Sequence, residues 1–123
     1  MMAEPEVLDP AVMATLRQLT TPGDPDVLTE VLQLFLQEVP PRMDRLRNAC
    51  AVGNIEGVYR AAHSLKGSAG NIGAQRLMGV CRQLDEMGRA GDLTEAAPLV
   101  AALGLEYERV AAEIGLIIGT SQL

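Results

Sequence analysis

The sequence predicts an all-α protein, an antiparallel up-and-down four-helix bundle with a short extra helix at its N-terminus. Composition is the first observation: 48% of the 123 residues are apolar, but only Phe35, Tyr59 and Tyr107 are aromatic. A chain rich in Ala, Leu, Val and Met favours helices, whereas sheets are enriched in β-branched and aromatic residues. The second observation is periodicity, because four long segments repeat apolar residues at helical spacing. The links between these segments are short, which predicts antiparallel neighbours.

The first predicted helix is short and covers the bundle as a lid. Asp9 followed by Pro10 is the N-cap and first-turn pattern of a helix. We expect this helix to end near Leu19, before a turn rich in threonine, proline and glycine. The preceding segment, residues 1–8, is expected to be flexible, so that the bundle domain spans residues 9–120.

The second predicted helix begins with a repeat of the same start pattern, Asp24-Pro25, and ends at Gly53-Asn54. Pro40-Pro41 lies inside it, and each proline lacks the N–H that a helix needs. We therefore expect a kink there, with a break as the alternative. The apolar stripe of this helix consists of Leu28, Val31, Leu32, Phe35, Val39, Met43, Leu46 and Cys50.

The last three predicted helices are also separated by glycine. The third ends across Gly70–Gly73, the fourth ends at Gly91, and the capping-box pattern Asp92–Glu95 predicts the start of the fifth. Pro98 is expected to distort the first turns of the fifth helix. The apolar stripe of the third helix consists of Ile55, Val58, Ala62, Leu65, Ala69 and Ile72. That of the fourth consists of Leu77, Val80, Cys81, Leu84 and Met87. That of the fifth consists of Ala96, Val100, Leu103, Tyr107, Val110, Ile114 and Ile117.

Charge and cysteine content narrow the function classes. The net charge of −6 argues against a nucleic-acid surface, which needs a basic stripe. No apolar run approaches the roughly 18 residues of a membrane span, and the N-terminus lacks a signal-peptide pattern. Cys50 and Cys81 occupy apolar helical positions and are expected to be buried free thiols. We therefore expect a cytoplasmic protein with no membrane or nucleic-acid partner. We also expect a monomer, because the bundle can bury its apolar stripes internally.

The one histidine of the chain lies on the exposed side of the third helix. At about 100° per residue, His63 falls about 140° from Val58, the centre of the buried stripe. Lys66, Gly67 and Gly70 follow at three, four and seven residues, spacings that bring side chains together on a helix. An interior glycine costs about 1 kcal/mol, and here Gly67, together with Gly70, leaves room for a large partner to dock beside the imidazole. The alternative is a solvated histidine beside an incidental glycine.

Antiparallel pairing of the third and fourth helices brings a second set of polar residues towards the histidine. With the turn centred near residue 73, His63 lies level with about residue 83. Asp85 could then orient the imidazole, and Arg82 and Arg89 could favour an anion nearby. The alternative is an ordinary solvated face of arginine and aspartate.

The segment Ala62–Gly73 reads Ala-His-Ser-Leu-Lys-Gly-Ser-Ala-Gly-Asn-Ile-Gly. It resembles the His-x-Leu-Lys-Gly-Ser motif of histidine-containing phosphotransfer (HPt) domains, which are four-helix modules of phosphorelays. The resemblance extends over nearly the whole chain, through its length, its helix count, Phe35-Leu36, Cys81–Leu84 and Gly88-Arg89.

The resemblance implies roles for single residues. His63 matches the phosphoacceptor, Lys66 the charge beside the phosphoryl group, and Gly67 the clearance for a docking partner. Arg89 resembles a supporting basic residue of some members. Asp85 departs from the glutamine or glutamate that is common at its place.

The function implied is that of a phosphorelay intermediate in two-component signalling. His63 takes a phosphoryl group from the aspartyl phosphate of a response-regulator receiver domain and passes it to another receiver, with a hybrid sensor histidine kinase as a further partner. Such a chain is a shuttle, not an enzyme, and it holds no metal or cofactor, since Mg²⁺ is expected in the receiver. The alternative function is a non-catalytic helical adaptor that binds a receiver or another partner without phosphotransfer.

Overall fold

A computed structural model describes residues 6–24 and 26–121, and these residues form five helices without a strand. The all-α prediction is therefore confirmed. The helices are α1 (Pro10–Gln18), α2 (Val27–Val52), α3 (Ile55–Asn71), α4 (Gln75–Ala90) and α5 (Ala96–Ser121).

The four long helices close into a bundle. Both α2 and α4 pack against α3 and against α5, so each helix lies beside the helix that follows it. The short α1 packs on α2, and the N–H of Asp9 donates to the carbonyl oxygen of Gly73, 2.9 Å away, in the turn between α3 and α4. The predicted bundle with its extra N-terminal helix is thus confirmed, and α1 covers one end of it.

Most helix ends follow the predicted capping residues. The side chain of Asp9 accepts from the N–H of Ala11 at the start of α1. Gly53 and Gly91 end α2 and α4 with φ angles of 72° and 74°, in the left-handed region that glycine adopts freely. Asn54 then caps α3 by accepting from the N–H of Gly57.

The start of α2 corrects one prediction. Asp26, not Asp24, is the N-cap: its carboxylate accepts from the N–H of Leu28 and from the hydroxyl of Thr29. Asp24 lies in the preceding turn, where its N–H donates to the carbonyl oxygen of Thr21. The other half of the predicted pattern, Pro25, lies outside the described residues.

The start of α5 corrects another. The helix begins at Ala96, four residues after the predicted cap, because the Asp92 carboxylate accepts from both the N–H and the hydroxyl of Thr94 and so forms a separate turn. Pro98 consequently lies in the first helical turn, where its missing N–H costs no hydrogen bond.

The two prolines inside α2 do not break it. The helix runs without interruption from Val27 to Val52 through Pro40 and Pro41, so the alternative of a break is wrong. The buried side chains of α2 lie on both sides of the prolines, and their packing holds the helix together across the missing hydrogen bonds.

The core contains most of the predicted stripes, with corrections at the margins. Ile55 is 38% exposed, and Ala49 is buried where the half-buried Cys50 was expected. Cys81 is fully buried, and both thiols are free. Other members of the stripes are only partly covered; these are Val31, Val80, Met87, Val100, Tyr107 and Ile117.

The N-terminal boundary also moves. Leu8 is 5% exposed and belongs to the core, so the packed body begins before Asp9. Residues 1–5 of the segment expected to be flexible lie outside the described residues. Across the described part of the chain, no helix is both long and apolar enough to span a membrane.

Candidate functional site

The site lies along the interface between α3 and α4, which pack against each other more extensively than any other two helices. Gly88 of α4 permits this approach. A Cβ atom on Gly88 would lie 2.8 Å from the Cβ of Tyr59 and 2.9 Å from its backbone nitrogen. Side chains at the solvent-exposed edge of the interface between α3 and α4 can therefore contact one another.

The register of this pair differs from the prediction by two residues. His63 faces Asp85, and Gly70 faces Met78, whereas the position of the turn predicts residue 83 level with His63. Side chains on a helix lean towards its N-terminus, so each covers the level of about one residue before it. In an antiparallel pair the two shifts add, which accounts for the difference.

His63 presents its imidazole to solvent beside a buried acid. Its side chain is 62% exposed, and its Nδ1 lies 3.7 Å from Oδ2 of Asp85. This distance is too long for a formed hydrogen bond but within ion-pair range. Because Nδ1 is the nitrogen that faces Asp85, Nε2 is the nitrogen available to an approaching partner.

Asp85 is the one polar side chain buried within the described residues, with 8% of its side chain exposed. Oδ1 accepts from Nε of Arg89 at 2.8 Å, and Oδ2 lies 3.7 Å from Nζ of Lys66 as well as facing His63. The cations of α3 and α4 therefore offset the charge of the buried carboxylate, as a buried ion requires.

The two glycines of the predicted site differ in their surroundings. A Cβ on Gly67 would meet no atom within 4 Å, so the helix surface one turn after His63 is open. A Cβ on Gly70 would lie 3.4 Å from Sδ of Met78, and a side chain there would contact α4. The open surface beside the imidazole is thus centred on Gly67.

The structure brings together His63, Lys66, Asp85 and Arg89, but not Arg82. Arg82 is exposed and has no ion pair or hydrogen bond within the part of the chain that is described. Arg82 therefore contributes no contact to the site.

One contact beside the site, that of Tyr59 with Arg89, was not predicted from the sequence. Cζ of Arg89 lies 5.0 Å from the centre of the Tyr59 ring, which is cation–π geometry. The available signal was the position of Tyr59, one helical turn before His63 on the same face. The low aromatic count of the sequence indicated the fold class but not this contact.

The Cys81 thiol, which feels the charge of Lys66, is a poor nucleophile. Burial raises the pKa of the Cys81 thiol to about 12, despite the opposing effect of the positive charge on Lys66. No group of three or more histidine, cysteine, aspartate or glutamate side chains suited to a metal ion occurs among the described residues. The geometry therefore offers one exposed imidazole nitrogen flanked by cations that can stabilise an arriving anion.

Comparisons with known proteins show what this chain is similar to. Residues 30–113 match the sequence model of the Hpt domain. The signal transduction histidine-protein kinase BarA of Shigella flexneri is 30% identical over 98 residues, which cover 79% of this chain but only 11% of that protein. Histidine-containing phosphotransfer protein 2 of Arabidopsis thaliana is 27% identical over 96 residues, covering 76% of this chain and 62% of that one.

A solved structure gives the same result for the fold. The crystal structure of histidine-containing phosphotransfer protein B of Pseudomonas aeruginosa PAO1 superposes with a TM-score of 0.84 at 28% sequence identity. The match covers 92% of this chain and 95% of that chain, so the similarity extends over nearly the whole bundle, including α3 and α4.

Proposed function

The chain belongs to the Hpt domain family, whose members are phosphorelay intermediates, and we propose that His63 is the residue that carries its phosphoryl group. The observation that supports this choice is a single arrangement. The one histidine of the sequence is exposed, faces a buried carboxylate through Nδ1, and lies beside the open surface at Gly67.

The chemistry of the transfer asks little of this chain beyond position and charge. In the proposed step the lone pair of Nε2 attacks the phosphorus of an aspartyl phosphate on a receiver domain. The N–P bond forms as the P–O bond to the aspartate breaks, and the aspartate leaves as a carboxylate. Phosphoryl transfer passes through a loose transition state, so in-line placement and charge stabilisation supply most of the catalysis.

Asp85 has a defined part in this proposal. The imidazole keeps its Nδ1 proton during the attack and gains positive charge as the N–P bond forms. The Asp85 carboxylate faces that proton at 3.7 Å and stabilises the charge. It also favours the tautomer in which Nδ1 carries the proton and Nε2 is free to attack. The reverse attack by a second receiver returns a neutral imidazole.

Lys66 and Arg89 compensate the negative charge of Asp85, so that an anion can bind at the site. Alone, the Asp85 charge would repel an arriving phosphoryl group. Arg89 contacts Oδ1 at 2.8 Å and Lys66 approaches Oδ2 at 3.7 Å, so the cluster carries more positive than negative charge. The Lys66 ammonium, on a flexible stem, can turn from Asp85 to the phosphoryl oxygens once these arrive.

The partners in this proposal are receiver domains of response regulators, with a hybrid sensor histidine kinase upstream. The chain spans about a tenth of the length of the BarA kinase it matches. Because the rest of that kinase has no counterpart in the match, the donor of the phosphoryl group to this chain is proposed here as well. We assign the Mg²⁺ of the reaction to the receiver, whose carboxylates and phosphate oxygens suit a hard cation. The chain itself acts as a cytoplasmic monomeric shuttle with no turnover of its own.

The test is incubation with a receiver domain phosphorylated on its aspartate. We expect phosphate to appear on this chain in a form that is labile to acid and stable to alkali, as the receiver loses its own. A chain that co-purifies with the receiver but stays unlabelled would instead be the non-catalytic adaptor. Passing the label to a second, unphosphorylated receiver then tests whether the transfer runs in both directions.

A further inference from the structure

Beyond the residues assigned above, the contacts point to a further participant on α3. Tyr59 lies one turn before His63, and its ring covers the guanidinium of Arg89 with 5.0 Å between Cζ and the ring centre. The same guanidinium donates through Nε to Oδ1 of Asp85 at 2.8 Å. Arg89 thus joins an aromatic ring on α3 to the carboxylate that faces the imidazole.

The hydrogen bond to Asp85 is the one polar contact of Arg89 within the described residues, and the rest of its side chain depends on the Tyr59 ring for support. Its side chain is 56% exposed, and a long exposed side chain ordinarily samples many rotamers. The planar guanidinium stacks on an aromatic face and presents Nε at its edge, which fixes where the N–H points. A ring at Tyr59 therefore restricts Arg89 to the conformers that reach Asp85.

The backbone places the Tyr59 ring independently of this contact. The close approach at Gly88, 2.8 Å from a built Cβ to the Tyr59 Cβ, presses the start of the Tyr59 side chain against α4. Arg89 is the residue that follows Gly88. Packing of the two helices thus holds the ring beside Arg89, whether or not a phosphoryl group is present.

We propose that Tyr59 is a positioning residue that acts through Arg89 and Asp85 on the tautomer of His63. With Arg89 held by the ring, Oδ1 of Asp85 is fixed, and Oδ2 is left facing Nδ1 of His63 and Nζ of Lys66. In the neutral imidazole the carboxylate then favours the tautomer with the proton on Nδ1 and the lone pair on Nε2. The benefit of this tautomer for phosphotransfer rests on the proposed function, but the tautomer itself can be measured without it.

The measurement is the tautomer of His63 read from its ¹⁵N chemical shifts in the full chain. Because the sequence has a single histidine, labelling that residue type gives one imidazole. At alkaline pH, where imidazoles are neutral, the two nitrogen shifts report which one carries the proton. No phosphoryl donor is needed, so the result is independent of whether the chain is a phosphorelay intermediate.

The variants separate the ring from the hydroxyl. Tyr59→Leu removes the aromatic face, and we expect the ratio of Nδ1–H to Nε2–H tautomer to fall about threefold, the weight of an exposed cation–π contact. Tyr59→Phe keeps the aromatic face and should have the same tautomer ratio as the parent. Equal ratios in the parent and Tyr59→Leu would overturn the proposal, and so would a fall in Tyr59→Phe as large as in Tyr59→Leu.

A second variant protects the test against loss of folding at the half-buried Tyr59. Arg89→Leu changes an exposed side chain and should lower the tautomer ratio at least as much as Tyr59→Leu. If Tyr59 acts through Arg89, adding Tyr59→Leu to Arg89→Leu produces no further fall. A double variant in which the two effects multiply would show that Tyr59 acts by another route and would contradict the proposal.

Discussion

Gly67 on α3 and Gly88 on α4 are both interior helical glycines, but they serve opposite purposes. A Cβ at Gly88 would press on the backbone nitrogen of Tyr59, whereas a Cβ at Gly67 would meet nothing within 4 Å. Gly88 allows α3 and α4 to approach each other, whereas Gly67 leaves the surface of α3 bare. The bare surface is the one that adjoins His63, which is why we assign it to a partner.

The largest effect is expected at the bare surface. Gly67→Gln should reduce phosphotransfer about a hundredfold, because a long side chain one turn from His63 displaces the receiver and a misplacement of about 1 Å costs that much. Its melting temperature should not fall, since glycine is the poorer helix former. Transfer kinetics and thermal denaturation on the same samples check both halves, with Gly67→Ala intermediate in rate.

Gly115→Gln is the matched control for that prediction. Gly115 lies on α5, which packs on α2 and α4, and a Cβ there also meets nothing within 4 Å. This control should transfer phosphate at the parent rate. A Gly67→Gln variant that keeps full activity would show that the receiver does not approach over α3 at this point.

At Gly88, where α3 and α4 are in close contact, a substitution should change the stability of the fold instead of the transfer rate. Gly88→Ala is expected to destabilise the fold by about 2 kcal/mol, as overpacking against a backbone does. Gly79→Ala on the same helix has open space around its Cβ and should gain up to about 1 kcal/mol from helix propensity. Chemical denaturation of the three proteins measures this, and equal stabilities for both variants would refute the contrast.

Asp85 lies between the two surfaces and is expected to affect rate more than stability. Asp85→Asn removes the charge that stabilises the imidazole during attack, so transfer should slow about tenfold, the effect of losing about 1.4 kcal/mol of charge stabilisation in the transition state. Rapid-quench kinetics from a phosphorylated receiver measure it. A faster transfer would mean that the carboxylate mainly repels the phosphoryl group.

Lys66 is expected to give the smallest effect. Lys66→Ala removes one of the two cations that contact Asp85, and transfer should slow about threefold, in keeping with a partly exposed ion pair. Lys66→Arg retains the charge and serves as the control. If the alanine variant transfers at the parent rate, and its phosphorylated form lasts as long, Lys66 has no part in the site.

The sequence predicted α3 and its exposed face well because both depend on local rules. Helical periodicity places His63 and Gly67 opposite the buried stripe, and Asn54 and Gly53 mark the helix boundary through capping chemistry. These properties need only residues that are near in sequence. The open surface around Gly67 follows from the same geometry.

The burial of Asp85 and the role of Tyr59 were beyond such rules. Asp85 follows Leu84 at the edge of the α4 stripe, where a polar residue ordinarily indicates an exposed position. It is covered because α3 approaches closely at Gly88, a tertiary contact that no periodicity within one helix encodes. The contact of Tyr59 with Arg89 depends on the same approach and on the two-residue shift in register.

The central claim is that the phosphoryl group resides on His63. The direct measurement exposes the parent and His63→Gln to the same phosphorylated receiver and then quantifies acid-labile phosphate on each chain. We expect label on the parent and none on the variant, with little change in melting temperature, because the side chain is 62% exposed. Undiminished labelling of His63→Gln would contradict the assignment of the phosphoryl group to His63.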